Sequence, residues 1–430
     1  MPDKTLPPRS VALLLLLTAA LLLLRAGDVP LVGPDEPRYA RVAVEMQRAG
    51  EWVRPTLQGQ PWLEKPVLYY WLAGAAFSVF GEAEAAARLP SLLAALLLVG
   101  STALVGARLY GRAAGLQAGF VLGTSLLVFV YGRAASMDML LAAAVTVGVG
   151  LVALRRAGLA GRLAIPAAYA AFALATLAKG PLGVALPVLV LGADALLSRD
   201  RRALRELVSL PGLALFALVA GAWYVPILLD QGRHFVDVFV LNHNLQRFTS
   251  TIHRHPGPVV YYLPVLALGM FPWTGLLPAA AACASPRRDP VDRFVVLWLL
   301  LPLAFFSLAG SKLPGYCLPC LPPLALLMGR AAARLTLDAR SLPGWAGARV
   351  LALVGLLLGA LLAAAPAALG RQGVPWTAAL PPGLWALVTA FLVSRAAERS
   401  AAEALRTLRV AAAGFLALVA LAAPPVLARI

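Results

Sequence analysis

The run Val11-Ala-Leu-Leu-Leu-Leu-Leu-Thr-Ala-Ala-Leu-Leu-Leu-Leu24, followed by Gly33-Pro34-Asp35-Glu36-Pro37-Arg38-Tyr39, decides how the rest of the chain is read. With its flanks the apolar part approaches the roughly 20 residues that cross a bilayer core. The polar part then sets two acids and an arginine at the lip of that span, where charge is costly unless it does something. A basic flank, Lys4 and Arg9, precedes the run as it would in a signal peptide. Arg25-Ala26-Gly27-Asp28 makes a poor cleavage site, so the segment reads as a retained signal anchor.

The same apolar character recurs throughout. Of 430 residues, 60% are hydrophobic and 13% charged, with a mean hydropathy of +0.80. A soluble protein of this size exposes too much surface for so few charges. The sequence predicts an all-α, polytopic membrane protein with thirteen spans, near 10–27, 88–108, 113–130, 137–154, 163–178, 181–197, 208–229, 259–283, 292–309, 314–333, 348–368, 378–395 and 407–427. The whole of 1–430 reads as one transmembrane domain with no C-terminal soluble domain.

The net charge of +17 would suggest nucleic acid in a soluble protein. Here its distribution explains it. With the N-terminus inside, alternate loops hold clustered arginines, among them Arg155/Arg156/Arg162, Arg199/Arg201/Arg202/Arg205 and Arg287/Arg288/Arg293. That is the positive-inside pattern, and no nucleic-acid partner is expected.

Two outer loops are long, Asp28–Ala87 and Asp230–Pro258. In the first, Asp35 to Arg48 reads as a helix with Asp35 at its N-cap, Val42 and Met46 on one face and Arg41/Glu45 as an i,i+4 pair. Pro66 to Phe80 carries Tyr69, Tyr70, Trp71, Phe77 and Phe80, rings that favour the headgroup level. Both segments are expected to lie in the membrane interface. There is no internal repeat and no inverted pair of broken helices of the transporter kind. Cys317-Leu318-Pro319-Cys320 has redox spacing but lies in an apolar span, where cysteine behaves as a small hydrophobe.

Several ionisable residues stand out against this background. Asp35 is explained by capping alone, but an adjacent Glu36 followed by Arg38 and Tyr39 is not, and a carboxylate there can act as general base on a hydroxyl. Lys65, after Glu64, reads as a snorkelling lysine or as a phosphate-binding cation beside a lipid. Asp138 is the only acid between Ala85 and Ala193, and reads as a helix cap or as a site residue. His243, in Asn242-His243-Asn244-Leu245-Gln246-Arg247-Phe248, can pair with a carboxylate, bind metal or cap a helix. Arg247 would lie one turn away and suits phosphate oxygens. Lys179 and Lys312 are lone cations at outer helix ends, snorkelling or part of a site. Acids for proton handling, cations for an anionic leaving group and aromatic interfacial segments together fit a reaction on a lipid-linked phosphate. No P-loop, zinc-protease or Ser-His signature is present.

The motifs DEPRYARVAVEM (35–46), WLEKPVLYYW (62–71), AARLPS (86–91), LAKGPLGVALP (177–187), NHNLQRF (242–248), YYLPVLALGMFPW (261–273) and SKLPGYCLPCLPPLALL (311–327) resemble, in this order, bacterial GT-C membrane glycosyltransferases. The resemblance is to those related to the lipid A aminoarabinose transferase and to protein mannosyltransferases, and Arg38 and Tyr39 favour the aminoarabinose branch. The resemblance implies a GT-C fold and inverting transfer from a polyprenyl-phosphate sugar of the undecaprenyl type. The acceptor would be periplasmic: lipid A or another envelope lipid or glycan. It implies Asp35 as the principal catalytic carboxylate and Asp138 as a second essential acid. Lys65, Arg38 and Arg247 would hold the donor phosphate, with Lys179, Lys312 and Tyr39 as further candidates. Glu64 and His243 would together hold a divalent metal, zinc in the family. Family members of the aminoarabinose type carry a further periplasmic domain after the last span, for which this sequence shows no counterpart. The location implied is the bacterial inner membrane with the site on the periplasmic side. The alternatives are a lipid-phosphate flippase or transporter, which would bind the same lipid without chemistry, and a protein O-glycosyltransferase.

Overall fold

The structure is a computed structural model that describes residues 5–246, 257–337, 349–351, 353–361 and 376–427. Apolar segments with no water to bond must satisfy their own backbone groups, and they do so here as helices. The sheet among the described residues is one hairpin, Thr56–Leu57 (β1) antiparallel to Gln60–Pro61 (β2).

Among the described residues, eight helices are long and apolar enough to cross a membrane, or ten when two bent pairs each count as one. The first seven helices are Pro8–Leu23 (α1), Asp35–Ala49 (α2), Leu68–Phe80 (α3), Glu84–Tyr110 (α4), Arg112–Gly123 (α5), Leu126–Gly132 (α6) and Met137–Arg156 (α7). Then come Ala164–Lys179 (α8), Leu182–Ser198 (α9), Arg201–Glu206 (α10) and Leu210–Phe235 (α11). The bent pairs are α5 with α6, at 59°, and Val259–Gly269 with Trp273–Cys283, at 108°. The shorter apolar helices include α8, α9 and Arg349–Leu361. The chain is therefore an all-α, multi-pass membrane protein, in which α5 packs on α4, α4 on α7 and α7 on α8.

Three local expectations change. Asp35 does not cap α2: Pro34 takes the cap position without a side-chain bond, and Asp35 is the first helical residue. Asp138 does not cap α7 either; Ser136 does, its hydroxyl accepting from the Asp138 amide at 3.2 Å. In the second long outer loop, the described residues 230–246 are helical. α11 runs on past Asp230, breaks at Gly232 (φ 52°, ψ −131°) and continues as the π-helix Val236–Gln246. The polar string Asp230-Gln231-Gly232-Arg233-His234 suggests a loop, but Trp223, Phe235 and Phe239 hold the segment in place. Their ring centroids are 5.7 Å apart for Trp223–Phe235 and 5.0 Å for Phe235–Phe239.

At the arginine-rich end of the bundle, charges read from sequence only as a topology signal are paired inside the protein. Asp194 is bound directly by Arg156 and, at 3.2 Å, by Arg293. Fully buried Asp292 is bound by Arg330, by the Tyr110 hydroxyl at 3.0 Å and by the Ser285 amide at 2.8 Å. All three cysteines are buried free thiols.

Candidate active site

The site is assembled where the first loop folds back on the bundle. Arg133 donates to the carbonyls of Leu22 and Leu24 at 2.9 and 2.7 Å, groups the end of α1 leaves unbonded. Arg88, 4% exposed, gathers the next turn of chain. It donates to the Ala26, Val29 and Pro30 carbonyls at 2.9, 2.6 and 2.7 Å. Its remaining bond, 3.0 Å, goes to Glu36, which also accepts from the Val32 and Ala135 amides at 2.8 and 2.6 Å. Glu36, with no role assigned from sequence, thus ties the start of α2 to the turn that leads into α7 and Asp138. Successive helical residues point about 100° apart. Asp35 therefore faces outward, its side chain 56% exposed and 3.3 Å from Arg38.

Asp138 sits in the first turn of α7, its carboxylate 3.0 Å from the Ser136 hydroxyl and in direct ion pair with Lys179. The Lys179 ammonium also lies over the Tyr316 ring, 4.5 Å from its centroid. Lys179 ends α8, and the turn through Gly180 (φ 73°) and Pro181 sends α9 straight back. A Cβ on Gly183 would sit 2.3 Å from the Thr176 amide nitrogen, so glycine there sets how closely α9 approaches α8.

Glu64 and Lys65 follow the β1–β2 hairpin, which α2 holds through Glu45. The Glu45 carboxylate accepts from Arg41 at 2.8 Å, the Thr56 hydroxyl at 3.1 Å, and the Gln58 and Gly59 amides at 2.9 and 3.2 Å. Burial acts to raise the pKa of this carboxyl, but those four donors outweigh it and hold it below the ordinary value. From the other side, the π-helix brings His243 to Glu64, with Nε2 3.6 Å from Oε1.

These groups meet at a cavity of about 570 Å³ lined by Asp35, Tyr39, Glu64, Lys65, Asp138, Lys179 and His243. The sequence reading omitted Tyr131, Tyr316, Phe239, Phe305 and Phe306, which supply aromatic wall. Tyr316 lay inside a motif stretch; Tyr131, beside Arg133, carried no comparable signal. Arg38 stands at the edge, its guanidinium stacked 5.2 Å from the Trp62 ring centroid while paired with Asp35. Lys312 is turned away, donating to the Ala309 carbonyl at 2.6 Å, so its neighbours Ser311 and Leu313 line the space instead. Arg247 lies outside the described residues.

Among the described residues no three His, Cys, Asp or Glu side chains converge on a metal position. Glu64 and His243 form a pair at 3.6 Å. Two ligands of one tetrahedral zinc stand about 3.3 Å apart, so this pair fits half of such a shell.

The comparisons with known proteins point the same way. Residues 64–225 match the family model described as dolichyl-phosphate-mannose-protein mannosyltransferase. The undecaprenyl phosphate-alpha-4-amino-4-deoxy-L-arabinose arabinosyl transferase of Yersinia enterocolitica is 32% identical over 333 residues, which is 76% of this chain and 59% of the relative. Its counterpart in Pseudomonas paraeruginosa is 36% identical over 320 residues, 72% and 57% of the two chains. The solved structure of ArnT from Cupriavidus metallidurans bound to undecaprenyl phosphate superposes with a TM-score of 0.81 at 25% identity. That match covers 97% of this chain and 77% of the other. The chain spans less than two thirds of the length of the two sequence relatives. Fold and cavity together define a membrane protein of the GT-C class. Within that class the chain is a relative of the lipid A aminoarabinose transferases.

Proposed function

We propose that this protein is an inverting glycosyltransferase that moves a pentose or hexose from a polyprenyl-phosphate donor, of the undecaprenyl type, to lipid A or another cell-envelope lipid or glycan. The observation that carries the reading is the cavity itself. Acids and cations from α2, the hairpin exit, α7, α8 and the π-helix converge on one space with an aromatic wall. The name of the arabinosyl transferases and the lipid bound by the solved ArnT support the choice of donor.

In this reading the acceptor oxygen attacks the anomeric carbon from the face opposite the phosphate. The bond from that carbon to the phosphate oxygen breaks, and the polyprenyl phosphate departs with the electron pair. Where the acceptor is a hydroxyl, its proton passes to Asp35, the carboxylate at the open side of the cavity. Lys65, Tyr39, Lys179 and the edge residue Arg38 face the developing phosphate charge, with Arg247 as a further candidate. Lys179 is shared with Asp138, so that acid serves to set the position of the lysine as well as the local charge. Glu64 and His243 would hold a divalent ion such as zinc, which when bound would add positive charge near the phosphate. Lys312, whose ammonium donates to the Ala309 carbonyl and keeps two further N–H donors, stays a further candidate for the phosphate.

The thirteen-span topology belongs to the same proposal: ten spans by length and composition, with α8, α9 and Arg349–Leu361 as the other three. α2 and α3 would lie in the interface of the outer leaflet of the inner membrane, so that the cavity faces the periplasm. Incubating the purified protein with a radiolabelled polyprenyl-phosphate sugar and a cell-envelope extract tests the reading. Label passes to a lipid or glycan with the wild type and not with Asp35→Asn. Equal transfer by the variant removes Asp35 from its role. Lipid translocation without label transfer, equal in both proteins, establishes the flippase instead. Label found on protein makes the acceptor a polypeptide.

A further inference from the structure

Glu45 has no place in the chemistry above, yet its carboxylate accepts four hydrogen bonds on the first-loop surface. Three of the four donors belong to the hairpin, and two are the successive amides of its turn. Gln58 and Gly59 both hold positive φ, 56° and 74°, the conformation of a two-residue turn that a glutamine adopts only at some cost. A carboxylate across both amides offsets that cost and fixes where the turn sits.

The hairpin leads directly into the site. The Trp62 amide bonds the Pro55 carbonyl at 2.8 Å, extending the ladder by one step. Leu63 is then buried, and Glu64 and Lys65 enter the cavity. α2 holds this element at two points, at the turn through Glu45 and at Trp62 through the stacked guanidinium of Arg38. The same helix carries Asp35 at its first residue, about 15 Å along the axis from Glu45. One rigid helix therefore carries one site carboxylate and anchors the strand that delivers the lysine.

We propose that Glu45 is a positioning residue: by gripping the hairpin turn from α2 it sets Glu64 and Lys65 against Asp35. The inference rests on the reading of Lys65 as a phosphate-holding residue. Its test is the affinity of the full-length protein in detergent for undecaprenyl phosphate. The proteins compared are the wild type, Glu45→Ala, Lys65→Ala, the double variant, and Arg48→Ala, which breaks only the surface pair with Glu82. Glu45→Ala is expected to weaken binding about tenfold, as loss of a supporting shell does. Glu45→Gln, which keeps one acceptor oxygen, falls between it and the wild type. Arg48→Ala leaves binding unchanged. Because Glu45 acts through the lysine, the double variant binds no more weakly than Lys65→Ala. A role in folding alone would reduce the amount of binding-competent protein without changing the Kd of that fraction. Unchanged Kd in Glu45→Ala, or full multiplication of the two losses in the double variant, overturns the inference with the reading of Lys65 intact. Unchanged Kd in Lys65→Ala overturns that reading and the inference with it.

Discussion

Asp35 and Glu36 are neighbours with opposite surroundings, and this predicts opposite phenotypes. Glu36 is 6% exposed, and its three donors include a buried guanidinium. Arg88→Ala leaves that carboxylate buried without its cation, a change that costs about 3–5 kcal/mol. Glu36→Gln removes one acceptor from donors that stay in place and costs about 1–3 kcal/mol. Asp35→Asn, at a position more than half exposed, changes stability by about 0.5 kcal/mol or less while abolishing transfer. Thermal unfolding in detergent alongside the transfer assay separates the two classes; equal destabilisation at 35 and 36 contradicts the assignment. Glu45 gives a pH signature of its own. Its folded pKa lies below the ordinary 4.5, so its stabilisation is complete above that value and is lost as pH falls through the folded pKa. The difference in melting temperature between wild type and Glu45→Gln should hold from pH 7 to about 4.5 and close below it. The Arg41–Glu45 half of this cluster was legible in the sequence because helical spacing brings i and i+4 together. The Glu36–Arg88 bond spans 52 residues, and no local period announces it.

Among the elements, the membrane helices were readable because apolar length is a property of each segment alone, whereas the π-helix was not. The polar string before it suggests a loop, whereas Phe239 packs on Phe235 and Tyr224, and Phe235 on Trp223, to hold it as a helix. The consequence for the site is direct, since this element carries Phe239 and His243 to the cavity wall. Its entry angle depends on Gly232, whose φ of 52° with ψ of −131° suits glycine and strains any residue with a Cβ. Beyond its chain neighbours and the helix's own backbone, no heavy atom lies within 4 Å of where that Cβ would stand, so Gly232→Ala acts through backbone strain. It is expected to cost about 1–3 kcal/mol, relieved by a shift of the π-helix that draws His243 from Glu64. Weaker donor binding with an unaltered unfolding temperature of the remaining bundle is the outcome sought, measured by ligand titration and by proteolysis rate at the segment. Binding equal to wild type would show that the break does not set the position of His243.

At the scale of the molecule, polarity is divided between two ends that do different things. At the end formed by α2, the hairpin and α3, carboxylates and cations face a cavity. At the other end, Asp194 and Asp292 each bind two or more elements through buried ion pairs and hydrogen bonds. Parting helices joined in that way leaves charges unpaired in a poorly solvated region, at about 3–5 kcal/mol for each pair. A transporter must part them in every cycle; a transferase working from one side never does. Cysteines placed at Arg155 and Glu206, whose side chains are 3.5 Å apart and 18% and 14% exposed, allow that end to be bridged by a short bifunctional thiol reagent. The three native cysteines are buried and spared by it. If the protein transfers sugar from one face, the bridged variant keeps the rate of the same variant before bridging, within about twofold on the scale where 1.4 kcal/mol is tenfold. Loss of activity on bridging, restored by cleaving the linker, would show that the two ends of the bundle open in turn.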